Sequence, residues 1–161
     1  MAKNKIQTHR VHIMKIRKPI HDNWKTPSYL LDKLTEEFGF MFDPCPLNAK
    51  FNGLEMPYWT QRNFINPPYN RKDKELFIRR AYVESQKGNL CVMLLPVSTS
   101  TKIFHEIIYP HAEIRFLKGR VKFEGINSKG ELVSNKCGMH DSMIVIFRKK
   151  EDQSFEKINI T

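Results

Sequence analysis

The sequence predicts an α/β fold whose sheet is mostly parallel, with roughly five to seven strands and an antiparallel strand or hairpin at the C-terminus. Three observations point there. Leu90-Cys91-Val92-Met93-Leu94-Leu95 is an unbroken apolar run, the pattern of a strand buried on both faces. Stretches with helical periodicity alternate with short strand signals along the chain. Two of those strand signals end in polar, proline-bearing loops, Asp43-Pro44-Cys45-Pro46 and Asn66-Pro67-Pro68-Tyr69, and open α/β sheets place ligand sites beyond the carboxyl ends of their strands.

The elements follow in order. Residues 1–22 read as a basic arm, with alternation at Val11–Ile16 that allows a short strand. A helix opens at Thr26-Pro27, with Thr26 as N-cap and Pro27 in the first turn. Leu30, Leu31, Leu34 and Phe38 form its apolar face and Gly39 ends it. Phe40–Asp43 reads as a buried strand, and residues 47–61 as an irregular connection anchored by Trp59. Asn63-Phe64-Ile65 leads into the Asn-Pro-Pro-Tyr turn. A helix is expected over Lys72–Gln86, closed by Gly88, and another over Thr101–Tyr109. Glu113–Leu117 and Arg120–Phe123 read as strands about Lys118-Gly119, Ile126–Gly138 as a loop, Ser142–Phe147 as the last strand and 150–161 as a tail. All 161 residues fit a single domain.

Composition narrows the class. With no run of 18 apolar residues and no apolar signal-peptide core after the basic start, a cytoplasmic protein without a membrane span is expected. Cys45, Cys91 and Cys137 are odd in number and widely spaced, and the six histidines show no ligand spacing. This pattern predicts neither a disulfide framework nor a metal site. Lys and Arg number 27 against 17 Asp and Glu, a formal charge of +10, which favours a polyanionic partner, nucleic acid above all. Six of these cations fall between Lys3 and Lys18 without an acid, and four more between Arg115 and Lys122.

Asn66, Pro67, Pro68 and Tyr69 carry the chemistry. Asn offers an amide oxygen that accepts a hydrogen bond, the Pro67 carbonyl offers a second acceptor, and two prolines at fixed φ stiffen the loop. Tyr69 offers a ring on which a base can stack. Together they suit an exocyclic amino group on a flat ring, whose lone pair two acceptors would help to free for attack. Asn-Pro and Pro-Pro are also ordinary turn dipeptides.

Trp-x-Thr-Pro before a helix, a strand ending in Asp-Pro, a strand ending in Asn-Pro-Pro-Tyr, Leu94-Leu95-Pro96 and Phe116-Leu117-Lys118-Gly119-Arg120-Val121-Lys122-Phe123 occur here in that order. The series, over roughly residues 22–149, resembles the phage-type DNA N6-adenine methyltransferases. The resemblance implies a reduced Rossmann-like class I methyltransferase sheet, S-adenosylmethionine as cofactor and DNA as substrate, its adenine flipped out of the helix. It implies catalytic roles for Asn66, Pro67, Pro68 and Tyr69, and a cofactor site of Thr26, Pro27, Asp43, Pro44, Cys45 and Asn66. A carboxylate at a strand end suits the cofactor's α-ammonium. Arg71, Lys72 and Lys74, with Arg79 and Arg80 beyond them, are candidate phosphate contacts, as are Arg115, Lys118 and Arg120.

Two departures stand against that pattern. Asp43-Pro-Cys-Pro-Leu-Asn lacks the glycine-rich loop that follows the acid in such enzymes, so close backbone approach to a cofactor must arise otherwise. Only 22 residues separate Asp43 from Asn66, room for one crossover, which leaves Glu55 as the candidate for holding the cofactor ribose. The sequence leaves open an N4-cytosine or glutamine-amide acceptor, and a non-catalytic nucleic-acid-binding module. Oligomeric state is not legible.

Overall fold

The computed structural model describes residues 24–126 and 131–149, so the basic arm with its expected strand, the turn at 127–130 and the C-terminal tail lie outside the described residues. These contain seven strands: β1 (Trp24–Lys25), β2 (Arg62–Ile65), β3 (Leu90–Pro96), β4 (Glu113–Phe116), β5 (Lys122–Ile126), β6 (Leu132–Cys137) and β7 (Ser142–Phe147). The helices are α1 (Ser28–Phe38), α2 (Arg71–Gln86) and, after β3, a π-helical turn, Phe104–Ile108, that runs into α3 (Tyr109–His111).

The mostly parallel, Rossmann-like sheet is not what forms. One sheet has the order β2-β3-β7-β4, and only β2 and β3 are parallel; β7 runs antiparallel to both β3 and β4. A separate three-stranded sheet, β1-β5-β6, is antiparallel throughout. Two sequence signals misled. Burial of β3 on both faces reads as pairing within a parallel sheet, but β3 is parallel only to β2 and antiparallel to β7, so the burial reflects what covers the faces, not strand direction. Residues 132–137, expected as loop, form β6. Its Leu132, Lys136 and Cys137 are exposed, so it is held by its backbone ladder to β5 and leaves little apolar pattern.

The four-stranded sheet has a core on each face. On one side Ile65, Met93 and Leu95 of the sheet, with Val145 and Phe147, pack against Phe77, Ile78 and Ala81 of α2 and against Phe104 and Ile108. On the other, Phe64, Val92, Leu94, Ile144 and Ile146 meet Leu30 and Leu34 of α1, Phe123 of the second sheet and Val121 just before β5. Each fully buried side chain of this kind stabilises the fold by about 1.5–3 kcal/mol.

Local chemistry sets the helix ends nearest the site. Asn70 caps α2: its Oδ1 accepts from the Asp73 backbone N–H at 3.0 Å while its Nδ2 donates to Asp73 Oδ2 at 3.1 Å, a reciprocal cap. At α1 Pro27, not Thr26, occupies the cap position, in an extended conformation without a side-chain cap bond. Gly39, at φ 77°, closes that helix by donating its N–H to the Thr35 carbonyl at 2.8 Å. The strand expected at Phe40–Asp43 shrinks to a single parallel bridge, in which Phe42 N–H donates to Arg62 O and Phe64 N–H to Phe42 O, each at 2.9 Å. The bridge still sets Asp43 beside the end of β2.

Candidate active site

Asn66 follows directly on β2, and its side chain is oriented by the second sheet. Its Nδ2 donates to the Trp24 carbonyl at 2.9 Å and to Thr26 Oγ1 at 3.1 Å. Those two bonds use both amide hydrogens and fix the rotamer, because a flipped amide would set oxygen against the Trp24 carbonyl. Oδ1 is left buried with no hydrogen-bond partner among the described residues. A buried acceptor without a partner costs about 1–3 kcal/mol, so such atoms are uncommon. Trp24 is held in turn by pairing with Gly125 of β5. Thr26, expected as the helix cap, spends its hydroxyl on Asn66 instead.

Asn66 lines a cleft of about 510 Å³, within the usual range for small-molecule sites. Asp43, Thr26 and Cys45 share it, with apolar walls from Leu31, Met41 and Phe64 and the exposed side chains of Phe40 and Leu47. Asp43 Oδ1 accepts from the Cys45 N–H at 2.7 Å. Burial pushes its carboxyl up to about 6, the backbone hydrogen bond only partly opposing this. The acid is thus desolvated with no cation paired to it among the described residues, the condition in which a bound cation gains most. Of the expected cofactor residues, Thr26, Asp43, Cys45 and Asn66 line the cleft, while the buried Pro27 and Pro44 lie next to lining residues in the chain. Glu55 is exposed and accepts from Asn52 Nδ2 at 2.8 Å; it does not line the cleft.

A glycine further along the chain backs the Asp43 loop. Gly53 packs so closely on Pro44 that a Cβ would overlap the Pro44 carbonyl oxygen. The Gly53 carbonyl accepts from Trp59 Nε1 at 2.8 Å, and Arg80 of α2 lies over the Trp59 ring at 5.4 Å while donating to Met56 O at 2.9 Å. Arg80, read from the sequence as a possible phosphate contact, is therefore a latch beneath the loop that backs Asp43. Buried Glu84 holds it at 2.8 Å. No sequence signal marks the contacts with Trp59 and Met56, which lie 21 and 24 residues away in the chain.

Pro67 and Pro68 are buried. Tyr69 does not line the cleft. Its ring meets Phe123 edge-on at 6.3 Å, and its hydroxyl is buried with no partner among the described residues. Burial holds the phenol well above its ordinary value. Removing an unpaired buried hydroxyl relieves a desolvation cost. Tyr69→Phe is therefore expected to raise the melting temperature, by the equivalent of about 1 kcal/mol, and to keep the activity. A drop in either quantity, by thermal melt or assay, would give the hydroxyl a role that this geometry denies it.

The candidate phosphate contacts divide. Lys72, Lys118 and Arg120 are exposed. Arg71 pairs with Glu75 at 3.0 Å across one helical turn, a weak, exposed tie that a phosphate can displace. Lys74 is half-buried, and desolvation lowers its ammonium from the ordinary value despite nearby Glu75. Arg115 is committed elsewhere: it grips both Glu37 oxygens, at 2.7 and 2.8 Å, and also bonds Glu113. It ties α1 to β4. Among the described residues there is no cluster of three metal-ligating side chains, and no helix long and apolar enough to cross a membrane.

Comparison with known proteins agrees with the order of motifs. A DNA N-6-adenine-methyltransferase of Escherichia phage T1 is 29% identical over 111 residues, which cover 62% of this chain and 46% of that protein. The match thus spans about half the length of that relative. No solved structure matches. The DNA N-6-adenine-methyltransferase (Dam) family matches residues 14–160, nearly the whole length, and the chain belongs to that family.

Proposed function

We propose that this chain transfers a methyl group from S-adenosylmethionine to N6 of adenine in DNA. The observation that carries the reading is Asn66 Oδ1, a buried acceptor oriented by two donated hydrogen bonds and left without a partner among the described residues. An adenine amino group offers the N–H that this oxygen lacks, and the Pro67 carbonyl is the second acceptor. Two acceptors on the amino hydrogens favour a pyramidal nitrogen, whose lone pair is then available. Because the acceptor is fixed before substrate arrives, little reorganisation opposes attack, and alignment supplies much of the remaining rate.

The cleft residues fit the cofactor. Asp43 is a desolvated acid suited to an α-ammonium, and Met41, Leu47 and Phe64 give apolar walls. When bound, the cofactor supplies an electrophilic methyl on a sulfonium. The chain's own work is to hold that group next to Asn66, exclude water and orient the base. The formal charge of +10 supports DNA as substrate.

A pH dependence follows. Asp43 titrates near 6 in the unliganded fold, and only its ionised form attracts an ammonium. Its raised value means that the folded protein holds the proton more tightly than the unfolded chain, so Asp43 costs stability as pH rises towards 6. A bound cation offsets that cost. Cofactor affinity is expected to be constant well above pH 6 and to weaken by up to about tenfold per unit below it. Lys25 and Cys45 are the other titratable groups of the cleft, and Asp43→Asn should remove the dependence. Calorimetric titration across this range checks it; a flat profile in the wild type would take Asp43 out of the cofactor site.

The function itself is tested by nucleoside analysis of DNA from cells expressing the chain. N6-methyladenine is expected with the wild type and not with Asn66→Ala. N4-methylcytosine in its place would change the acceptor.

A further inference from the structure

Met139 stands in the turn 138–141 between β6 and β7 and is 80% exposed. A single exposed apolar side chain is ordinary on a protein surface; what distinguishes Met139 is where its turn is held. The Gly138 N–H donates to the Val121 carbonyl at 2.9 Å, the Val97 N–H to the Asp141 carbonyl at 2.8 Å and the Leu117 N–H to the Ser142 carbonyl at 3.0 Å. These bonds clamp the turn between the segment that follows β3 and the segment 117–121. β2 and β3 are parallel, and Pro96 at the end of β3 pairs with Ser142 at the start of β7. The turn therefore lies at the same end of the sheet as the loop that carries Asn66. A Cβ at Gly138 would stand 3.2 Å from the Phe123 ring, and that ring meets Tyr69 of the Asn-Pro-Pro-Tyr loop edge-on. Lys118 and Arg120, both exposed, stand in the segment on the turn's flank.

We propose that Met139 is the wedge that enters the base stack as the target adenine leaves it, filling the gap beside the orphaned thymine while Lys118 and Arg120 hold the adjoining phosphates. The proposal rests on the adenine-methylation reading and concerns the space the base vacates, not the pocket that receives it. Extruding a base breaks its pair and its stacks, and the vacated site is apolar above and below. An unbranched thioether suits that site, because it is apolar, polarizable and adaptable in shape, and methionine is among the side chains that insert between base steps. In the free protein the Met139 side chain lies in water, so its burial is gained only when the gap opens. The wedge thus favours the flipped state over the stacked one. A phosphate contact does not, since the phosphates are held in both.

The test uses the full chain and duplexes carrying the adenine found methylated in expressing cells. Met139→Ala should lower kcat/KM on the paired duplex by about 10-fold or more, the order set by burying one methionine side chain, and leave the thermal melt unchanged. On the same duplex with an abasic site opposite the adenine, no pair has to be broken, so wild type and variant should differ little. Met139→Leu, of similar apolar volume, should keep most of the activity on both duplexes. Leu132→Ala, at the other end of β6 and 84% exposed, should change neither. Isotopic labelling of the methionine methyl groups gives a readout independent of turnover. The Met139 resonance, assigned by its loss in Met139→Leu, should move upfield with the paired duplex, in the ring currents of the neighbouring bases. An equal loss for Met139→Ala on the two duplexes overturns the proposal and makes the residue a general DNA contact. So does a methyl resonance that the duplex leaves unmoved, or a loss of the same size in Leu132→Ala. N6-methyladenine in cellular DNA alongside any of these results defeats this inference only; absence of the modified base defeats the adenine reading first.

Discussion

Asn66→Ala is expected to lower kcat by about 100-fold or more, the scale seen when one preorganised transition-state hydrogen bond is lost, while cofactor affinity changes little. The substitution removes the only atom of the site that is fixed, buried and unpartnered among the described residues. Asn66→Asp sharpens the test. It keeps acceptor oxygens but loses both donors, so a carboxylate faces the Trp24 carbonyl and must turn away. It is expected to be about as inactive as Asn66→Ala, although an acceptor is still present. If Asn66→Asp retained near wild-type turnover in a methyl-transfer assay, orientation by Trp24 and Thr26 would be irrelevant and the proposed mechanism would fail. Either variant leaves the Trp24 carbonyl short of a donor, at a cost of about 1–3 kcal/mol, so a modest fall in melting temperature should accompany it.

Glu84→Leu is expected to destabilise the fold by about 3–5 kcal/mol. Glu84 is fully buried and accepts from Arg80 at 2.8 Å, Lys87 at 3.0 Å and Asn89 at 2.9 Å. Burial alone would raise its carboxyl, but the hydrogen bonds from Lys87, Asn89 and Arg80 outweigh it and the net shift is downward. A lowered carboxylate contributes stability that is present above its unfolded value and lost as pH falls through the folded one. Urea unfolding should therefore show less acid sensitivity in Glu84→Gln than in the wild type. Truncation leaves the Arg80 guanidinium beneath the Trp59 loop without its acid, so cofactor affinity should fall too, through the Gly53 backing of Pro44. Arg80→Met combined with Glu84→Leu should recover part of the loss, since paired removal leaves no orphaned charge. Additive losses in the double variant would show that the pair is not coupled.

Much of the site was legible because it is carried by short, local motifs. Asn66 and Asp43 announce themselves as polar residues after apolar strand signals, and the single bridge between Phe42 and Asn63 is enough to put them on one cleft. Helix α2 was read within one residue, since Gly88 and the helical spacing mark it. What the sequence hid is whatever depends on distant pairing. An antiparallel C-terminal strand was expected, but the insertion of β7 between β3 and β4 is not encoded in its six buried residues, because burial on both faces is the same whichever strands flank it. β6 escaped notice because its side chains carry almost no burial pattern. The edge-to-face contact between Tyr69 and Phe123, 54 positions on, could not be seen either. Arg80 and Arg115 looked like free surface cations, and each is paired with acids, Arg80 with buried Glu84 and the more exposed Arg115 with Glu37 and Glu113.

The position of β7 has a consequence for how the chain is made. This strand is the last of the described elements in sequence, yet it lies in the interior of the four-stranded sheet, between β3 and β4. During synthesis β3 emerges with an apolar, unpaired edge and must wait some fifty residues for the strand that covers it. An exposed edge of that kind invites pairing with another chain, and long-range pairing slows folding. The nascent chain thus passes through a stage in which its most apolar strand is half-covered, and every described strand has to leave the ribosome before the sheet can close. Yield should accordingly respond to temperature and to chaperone supply more strongly than the finished fold's own stability would suggest.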